Sequence, residues 1–134
     1  MIFIVKLGID VLLEQDCRLL QGLNYGVVTN PTGVNKDLIP SWRLLQNCGS
    51  GSLTALFGPE HGWAGSTQDE LSVESVRDSD TGLPVYSLYG KKRRKPSPAM
   101  LRGLDALVFD IQDVGSRFYT YISTLYYCLE ACAE

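Results

Sequence analysis

The chain has 134 residues, enough for one domain with a sizeable core. Hydrophobic residues make up 45% and charged residues 20%, the balance of a folded α/β protein rather than a disordered or fibrous one. A net charge of −3 gives no reason to expect nucleic acid as a general partner, and no apolar run approaches the roughly 18 residues of a membrane-crossing helix.

Met1 to Leu7 is apolar but too short for a signal peptide, and it lacks a basic start and a small-residue cleavage site. No export signal is recognisable, and the compartment is otherwise unassigned. Tyr25 to Thr29 reads as a short buried strand broken by Asn30-Pro31-Thr32-Gly33. Leu38 to Gln46 carries Leu38, Trp42 and Leu45 at helical spacing, with Pro40 tolerated in the first turn. A Gly/Ser turn over Asn47 to Ser52 leads into a second strand, Leu53 to Phe57. Trp63 to Thr81 is polar and without clear period, and is expected to be a long loop with one helical turn at most.

Pro84 to Leu88 is expected as a third strand ending at Tyr89-Gly90. Ser97 and Pro98 read as the N-cap and first residue of a helix over Ala99 to Arg102. Leu104 to Ile111 is the fourth and most hydrophobic strand, and Tyr119 to Glu134 a final helix. Strands separated by helical segments in this way predict βαβ units and a parallel sheet. The last helix stops at Ala131-Cys132-Ala133-Glu134 without a closing Gly, Asn or Pro, which suggests a piece of a longer protein.

Four cysteines, Cys17, Cys48, Cys128 and Cys132, include no C-x-x-C pair, and the single histidine, His61, is remote from all of them. A zinc site is therefore not expected, and reduced, mostly buried thiols are the better reading.

The polar residues fall at the strand ends: Thr29-Asn30, Glu60-His61, Tyr89, and Asp110, Gln112 and Asp113. In a parallel sheet these ends share one edge, where open α/β sheets bind their ligands. Several familiar sites are absent. Neither G-x-G-x-x-G nor G-x-x-x-x-G-K-[ST] occurs, Gly49-Ser50-Gly51 does not match G-x-S-x-G, and Asp110 and Asp113 are spaced three apart rather than two. The basic run Lys91 to Lys95 reads better as a solvated loop than as a nucleic-acid contact.

What remains is carboxylate chemistry. Glycoside hydrolysis commonly needs one carboxylic acid to protonate the leaving oxygen and a second group as base or nucleophile. Glu60, just past a buried strand and near Trp63, suits the acid. Its competing reading is a helix cap or an ion pair with Arg117. Asp110 competes with a role in ordering the next loop, and Gly58, Gly62 and Gly115 read as turn glycines. A carbohydrate- or nucleotide-binding α/β module without chemistry is the alternative from another class.

Five blocks occur in order: Leu7-Gly8-Ile9-Asp10-Val11-Leu12-Leu13, Thr29-Asn30-Pro31-Thr32-Gly33, Phe57-Gly58-Pro59-Glu60-His61-Gly62, Leu83-Pro84-Val85-Tyr86-Ser87-Leu88-Tyr89-Gly90 and Phe109-Asp110-Ile111-Gln112-Asp113-Val114-Gly115. With these blocks the chain closely resembles the N-terminal part of the bacterial exo-β-N-acetylmuramidase family of the NamZ type. The resemblance implies a glycoside hydrolase of cell-wall recycling that releases N-acetylmuramic acid from the non-reducing ends of peptidoglycan fragments. It implies a Rossmann-like three-layer catalytic domain with a mainly parallel sheet, then a smaller C-terminal domain, with the active site in the cleft between them.

Carried over by position, Glu60 and Asp110 are the catalytic candidates. Asn30, His61, Tyr89, Gln112, Asp113 and Arg117 are the substrate-binding candidates. Arg117 has the planar, bidentate geometry suited to the lactyl carboxylate of muramic acid, against the alternative of a structural pair with Asp113 or Asp110. No metal or cofactor is expected. The partners are peptidoglycan-derived muramyl saccharides, with no nucleic acid and no membrane insertion.

Residues 1–134 are expected to be the N-terminal part of the Rossmann-like catalytic domain, with the rest of that domain and the C-terminal domain absent. An incomplete sheet would leave an open strand edge and an apolar face on the last helix, including Tyr126, Tyr127 and Leu129, and so favour self-association. The segment Trp63 to Asp69 departs from the more acidic or basic version expected after the third block.

Overall fold

The computed structural model describes residues 5–49, 51–59, 76–89 and 94–134. Strands β1 (Asn24–Thr29), β2 (Ser52–Gly58), β3 (Val76–Arg77), β4 (Pro84–Ser87) and β5 (Ala106–Asp110) form one sheet in the order β3-β4-β2-β1-β5. Four of them, β4, β2, β1 and β5, are mutually parallel, while β3 pairs antiparallel with β4. Helices α1 (Gly8–Glu14), α2 (Ser41–Gln46), α3 (Pro98–Leu101) and α4 (Tyr121–Ala133) complete an α/β three-layer fold.

The two faces of the sheet carry separate cores. On one, Ile9 of α1 and Trp42 and Leu45 of α2 pack with Tyr25, Val27, Leu53, Leu56 and Val85. On the other, Met100 of α3 and Cys128 of α4 pack with Val28, Ala55, Phe57 and Leu88. β1 is buried on both faces from Tyr25 to Thr29, which is why it reads as an unbroken apolar run. β5 alternates, with Ala106 and Val108 toward the first core and Leu107 and Phe109 toward the second. Among the described residues it pairs only with β1, and all five of its residues are half-buried.

β2 does not keep a simple two-residue period. Its register against β1 runs Tyr25↔Leu53 and then Gly26↔Ala55, so Thr54 is an extra residue, and its hydroxyl donates to the Tyr25 carbonyl at 3.3 Å. This bulge is what lets Leu53 and Leu56, three apart, share one core while Ala55 and Phe57 face the other.

Several local features differ from the sequence reading. The helix expected from Leu38 begins at Ser41, because the buried Asn35 side chain accepts the N–H groups of Asp37 and Ile39 at 3.0 and 2.8 Å and closes a turn. Leu38 sits on that turn with φ 60 and is exposed, so it is not part of the helical face. Ser97 precedes α3 as expected, with Pro98 at its start, but its side chain makes no capping hydrogen bond. Helix α1, a 3-10 turn at Arg18–Leu20 and strand β3 are additional.

The cysteine reading needs a larger correction. Cys17 and Cys48 form a disulfide, with Cα atoms 6.1 Å apart. Asp16 and Cys17 take left-handed φ values of 51 and 49, which turns the chain back after α1 and brings Cys17 beside the end of α2. Cys128 and Cys132 are free thiols, the first buried and the second exposed.

On α4, Ile122, Tyr126 and Leu129 form an exposed apolar stripe, Phe118 just before the helix is exposed too, and Tyr127 is half-buried. Lys95 holds the end of α4 through Glu130 at 3.0 Å and Glu134 at 2.6 Å. Among the described residues no helix is long and apolar enough to cross a membrane.

Candidate active site

From β1 the chain moves outward to β2 and β4, and β5 then returns to the opposite side of β1. The reversal makes the gap between the carboxyl ends of β1 and β5 the switch point at which doubly wound sheets open a crevice. Thr29 is opposite Asp110 in register, so the loops leaving both strands meet there. Pro59, after β2, and Tyr89, two residues past β4, follow the carboxyl ends of the neighbouring strands. Glu60, His61 and the loop from Trp63 as far as residue 75 lie outside the described residues.

Asn30 is almost wholly buried, at 5% exposure. Its Oδ1 accepts the Thr32 N–H at 3.1 Å and lies 2.8 Å from the Thr32 hydroxyl, an Asx turn that locks the side chain. The same hydroxyl lies 2.9 Å from Gln112 Oε1, so Thr32 pins the β1 loop to the β5 loop across the crevice. Gly33 is packed beneath this bridge. A Cβ there would overlap the Thr29 hydroxyl and sit 2.8 Å from the Asp110 carbonyl oxygen. Thr32 and Gly33 belong to the site although neither was singled out as a candidate. Their only sequence signal is the N-P-T-G turn.

The acidic candidates separate clearly. Asp113 is exposed, and its Oδ1 accepts the Gly115 N–H at 2.7 Å in a turn that needs φ 70 at Gly115. Asp110 does nothing comparable: its Oδ2 is buried and has no hydrogen-bond partner among the described residues. An aspartate that merely ordered its loop would be bonded as Asp113 is. A buried carboxylate oxygen without a partner marks a place where stability is not the only demand. Arg117 is exposed and forms no ion pair with Asp110 or Asp113 among the described residues. Tyr89 is 46% exposed, and its N–H donates to Ser87 Oγ at 3.2 Å.

Among the described residues no cluster of His, Cys, Asp and Glu is arranged to hold a metal ion. What the crevice offers is an amide, a hydroxyl, a second amide and an unpaired carboxylate on adjoining loops. These are the groups that read sugar hydroxyls and amides and that assist proton transfer to a glycosidic oxygen.

Comparison with known proteins places this arrangement in a family. Residues 25–134 match the family model described as exo-β-N-acetylmuramidase NamZ, N-terminal. The chain is 52% identical over 130 residues to the peptidoglycan β-N-acetylmuramidase NamZ of Bacillus subtilis (strain 168), covering 97% of this chain and 31% of that protein. A crystal structure of a DUF1343 family protein from Bacteroides fragilis NCTC 9343 superposes with a TM-score of 0.86 at 50% identity, over 96% of this chain and 31% of that one. A second DUF1343 protein from the same organism gives 0.73 at 32% identity, over 98% of this chain and 32% of that one. The chain thus spans about a third of the length of these relatives. With its parallel sheet, its β1/β5 crevice and its ordered sequence blocks, it belongs to the exo-β-N-acetylmuramidase NamZ family, in the N-terminal region of that family.

Proposed function

We propose that residues 1–134 act as the N-terminal part of the Rossmann-like catalytic domain of a glycoside hydrolase that releases N-acetylmuramic acid from the non-reducing ends of peptidoglycan fragments. Further polypeptide supplies the rest of that domain and a smaller C-terminal domain. The observation that carries this reading is the 52% identity, over 97% of the chain, to a peptidoglycan β-N-acetylmuramidase.

In this reading Glu60 protonates the leaving glycosidic oxygen, and Asp110 serves as the second carboxylate. The unbonded Oδ2 of Asp110 supports that role, since a group committed to reaction is not committed to the fold. Asn30, Gln112, Tyr89 and His61 contact the sugar. Asp113 shapes the loop that carries Arg117, and the exposed guanidinium takes the lactyl carboxylate. Muramyl saccharides are the partners, nucleic acid is not, and the exposed stripe on α4 is a surface for self-association of the isolated chain.

The test is Glu60→Gln in the full-length protein. Release of N-acetylmuramic acid should fall by about 10²–10⁴-fold, with saccharide binding retained. Turnover within a few-fold of the parent would remove Glu60 as the acid. A parent that binds the saccharide without cleaving it would make the chain part of a binding module.

A further inference from the structure

The hydrogen-bond chain across the crevice has a direction, and that direction fixes what the crevice presents to a ligand. The Thr32 backbone N–H can only donate, so the end of the Asn30 amide that faces it, at 3.1 Å, is the oxygen. The Thr32 hydroxyl has one proton, and Asn30 Oδ1, at 2.8 Å, receives it. The hydroxyl then has only lone pairs left for Gln112 at 2.9 Å, and an amide oxygen there would face an oxygen with no proton between them. The chain is consistent when Gln112 turns its Nε2–H toward Thr32, since the two ends of a side-chain amide are distinguished by their partners. The order is then Gln112 N–H to Thr32 O–H to Asn30 Oδ1.

Two groups are left over. Asn30 Nδ2 is a donor with no hydrogen bond among the described residues, on a side chain that is 5% exposed and locked by its Asx turn. The Gln112 amide oxygen is an acceptor on the exposed side of the same bridge. A fixed donor and an acceptor flanking one hydroxyl match a secondary amide, whose carbonyl oxygen and N–H point in opposite directions.

Resting on the glycosidase reading above, we propose that this pair recognises the 2-acetamido group of the sugar. Asn30 Nδ2–H donates to the acetamido carbonyl, and the acetamido N–H donates to the Gln112 oxygen. Thr32 is a positioning residue: it touches no ligand but sets which end of each amide faces outward. Asn30 is a specificity residue, because a buried, preorganised donor left without its acceptor disfavours any sugar that lacks the acetyl group.

The probes are N-acetylmuramic acid and 3-O-lactylglucose, which carries a hydroxyl in place of the acetamido group. Both are titrated into the full-length protein and followed by titration calorimetry, with a thermal melt of each variant as the folding control. The full-length parent should bind N-acetylmuramic acid about tenfold more tightly than the hydroxyl analogue. Asn30→Asp keeps the oxygen that Thr32 needs but removes the donor, and should bring the two affinities to within about twofold of each other. Thr32→Val should lower the preference several-fold, and Thr32→Ser should keep it. Equal affinities in the full-length parent, or an unchanged preference in Asn30→Asp, would overturn the acetamido assignment while leaving the sugar site standing. Failure of the full-length parent to bind either sugar would overturn the saccharide reading itself and this assignment with it.

Discussion

Replacing Gly33 by alanine tests whether the β1/β5 crevice is as tightly closed at its base as its contacts imply. The glycine φ lies outside the left-handed region, so alanine fits the backbone and only the space is probed. The new Cβ would overlap the Thr29 hydroxyl and lie 2.8 Å from the Asp110 carbonyl oxygen and 3.3 Å from that of Asn30. The first carbonyl contact is about 0.5 Å inside the closest usual C···O approach of roughly 3.3 Å. Thr29 is fully buried and cannot swing away, and both carbonyls are main chain, so relief requires the strand ends to part.

Such overpacking costs about 3 kcal/mol, and the lower entropy of the unfolded alanine chain returns about 0.5 kcal/mol of it. At roughly 4 °C per kcal/mol for a domain of this size, Gly33→Ala should melt about 10 °C below the parent by circular dichroism. Gly8→Ala is the control, because a Cβ at Gly8 meets nothing within 4 Å, and its melting temperature should stay level or rise slightly. A Gly33→Ala protein that melts within about 2 °C of the Gly8 variant would show that the base of the crevice is open and the packing argument wrong.

Two further outcomes follow from the cysteines. Cys17 and Cys48 are 31 residues apart, and closing a loop of that length contributes about 4 kcal/mol in the chain-entropy model. Unfolded without reductant, the protein should therefore alkylate at two cysteines rather than four, and reduction should lower the melting temperature by about 15 °C; four alkylated cysteines without reductant would refute the pairing. Burial, with a smaller contribution from Cys132, pushes the Cys128 thiol from 9.0 up to about 12. The folded state then holds a proton that the unfolded chain releases, so this contribution to stability is complete below pH 9.0 and is lost as pH rises toward about 12. At pH 8, Cys132 should react with a disulfide reagent while Cys128 stays silent until the protein unfolds, and equal rates at the two thiols would refute the burial.

The parallel strands were legible because strands buried on both faces leave apolar runs that stop at polar rims. Tyr25 to Thr29 and Leu53 to Phe57 fall within a residue of β1 and β2. The placement of Asn30, Tyr89 and Asp110 at or just past strand ends on one edge follows from the same signal. The start of α2 was misjudged because Leu38 satisfies a helical period by coincidence, while the Asn35 side chain offers its backbone neighbours a better partner. β3 was invisible: two residues paired to β4 owe their conformation to the partner strand and carry no period of their own. The disulfide was missed for a related reason. Cysteine spacing is silent about a chain reversal at Asp16 and Cys17, which depends on left-handed backbone at residues that seldom adopt it. Thr32 escaped notice because a hydroxyl becomes a bridge only when a residue 80 positions away is brought beside it.

The extra residue at Thr54 also separates the two ends of β2 as far as their phase is concerned. Were the strand regular, inserting or deleting one residue in the turn before it would rotate every later side chain by half a turn, through Phe57 and Gly58 to the rim. With Thr54 able to slide in or out of the ladder, such a change is absorbed five residues before the rim begins at Pro59. A one-residue change in the α2–β2 turn would therefore leave the aim of the rim unchanged. Deleting Thr54 would transmit such a change in the other direction, and would reorient Leu53 rather than the residues at the rim.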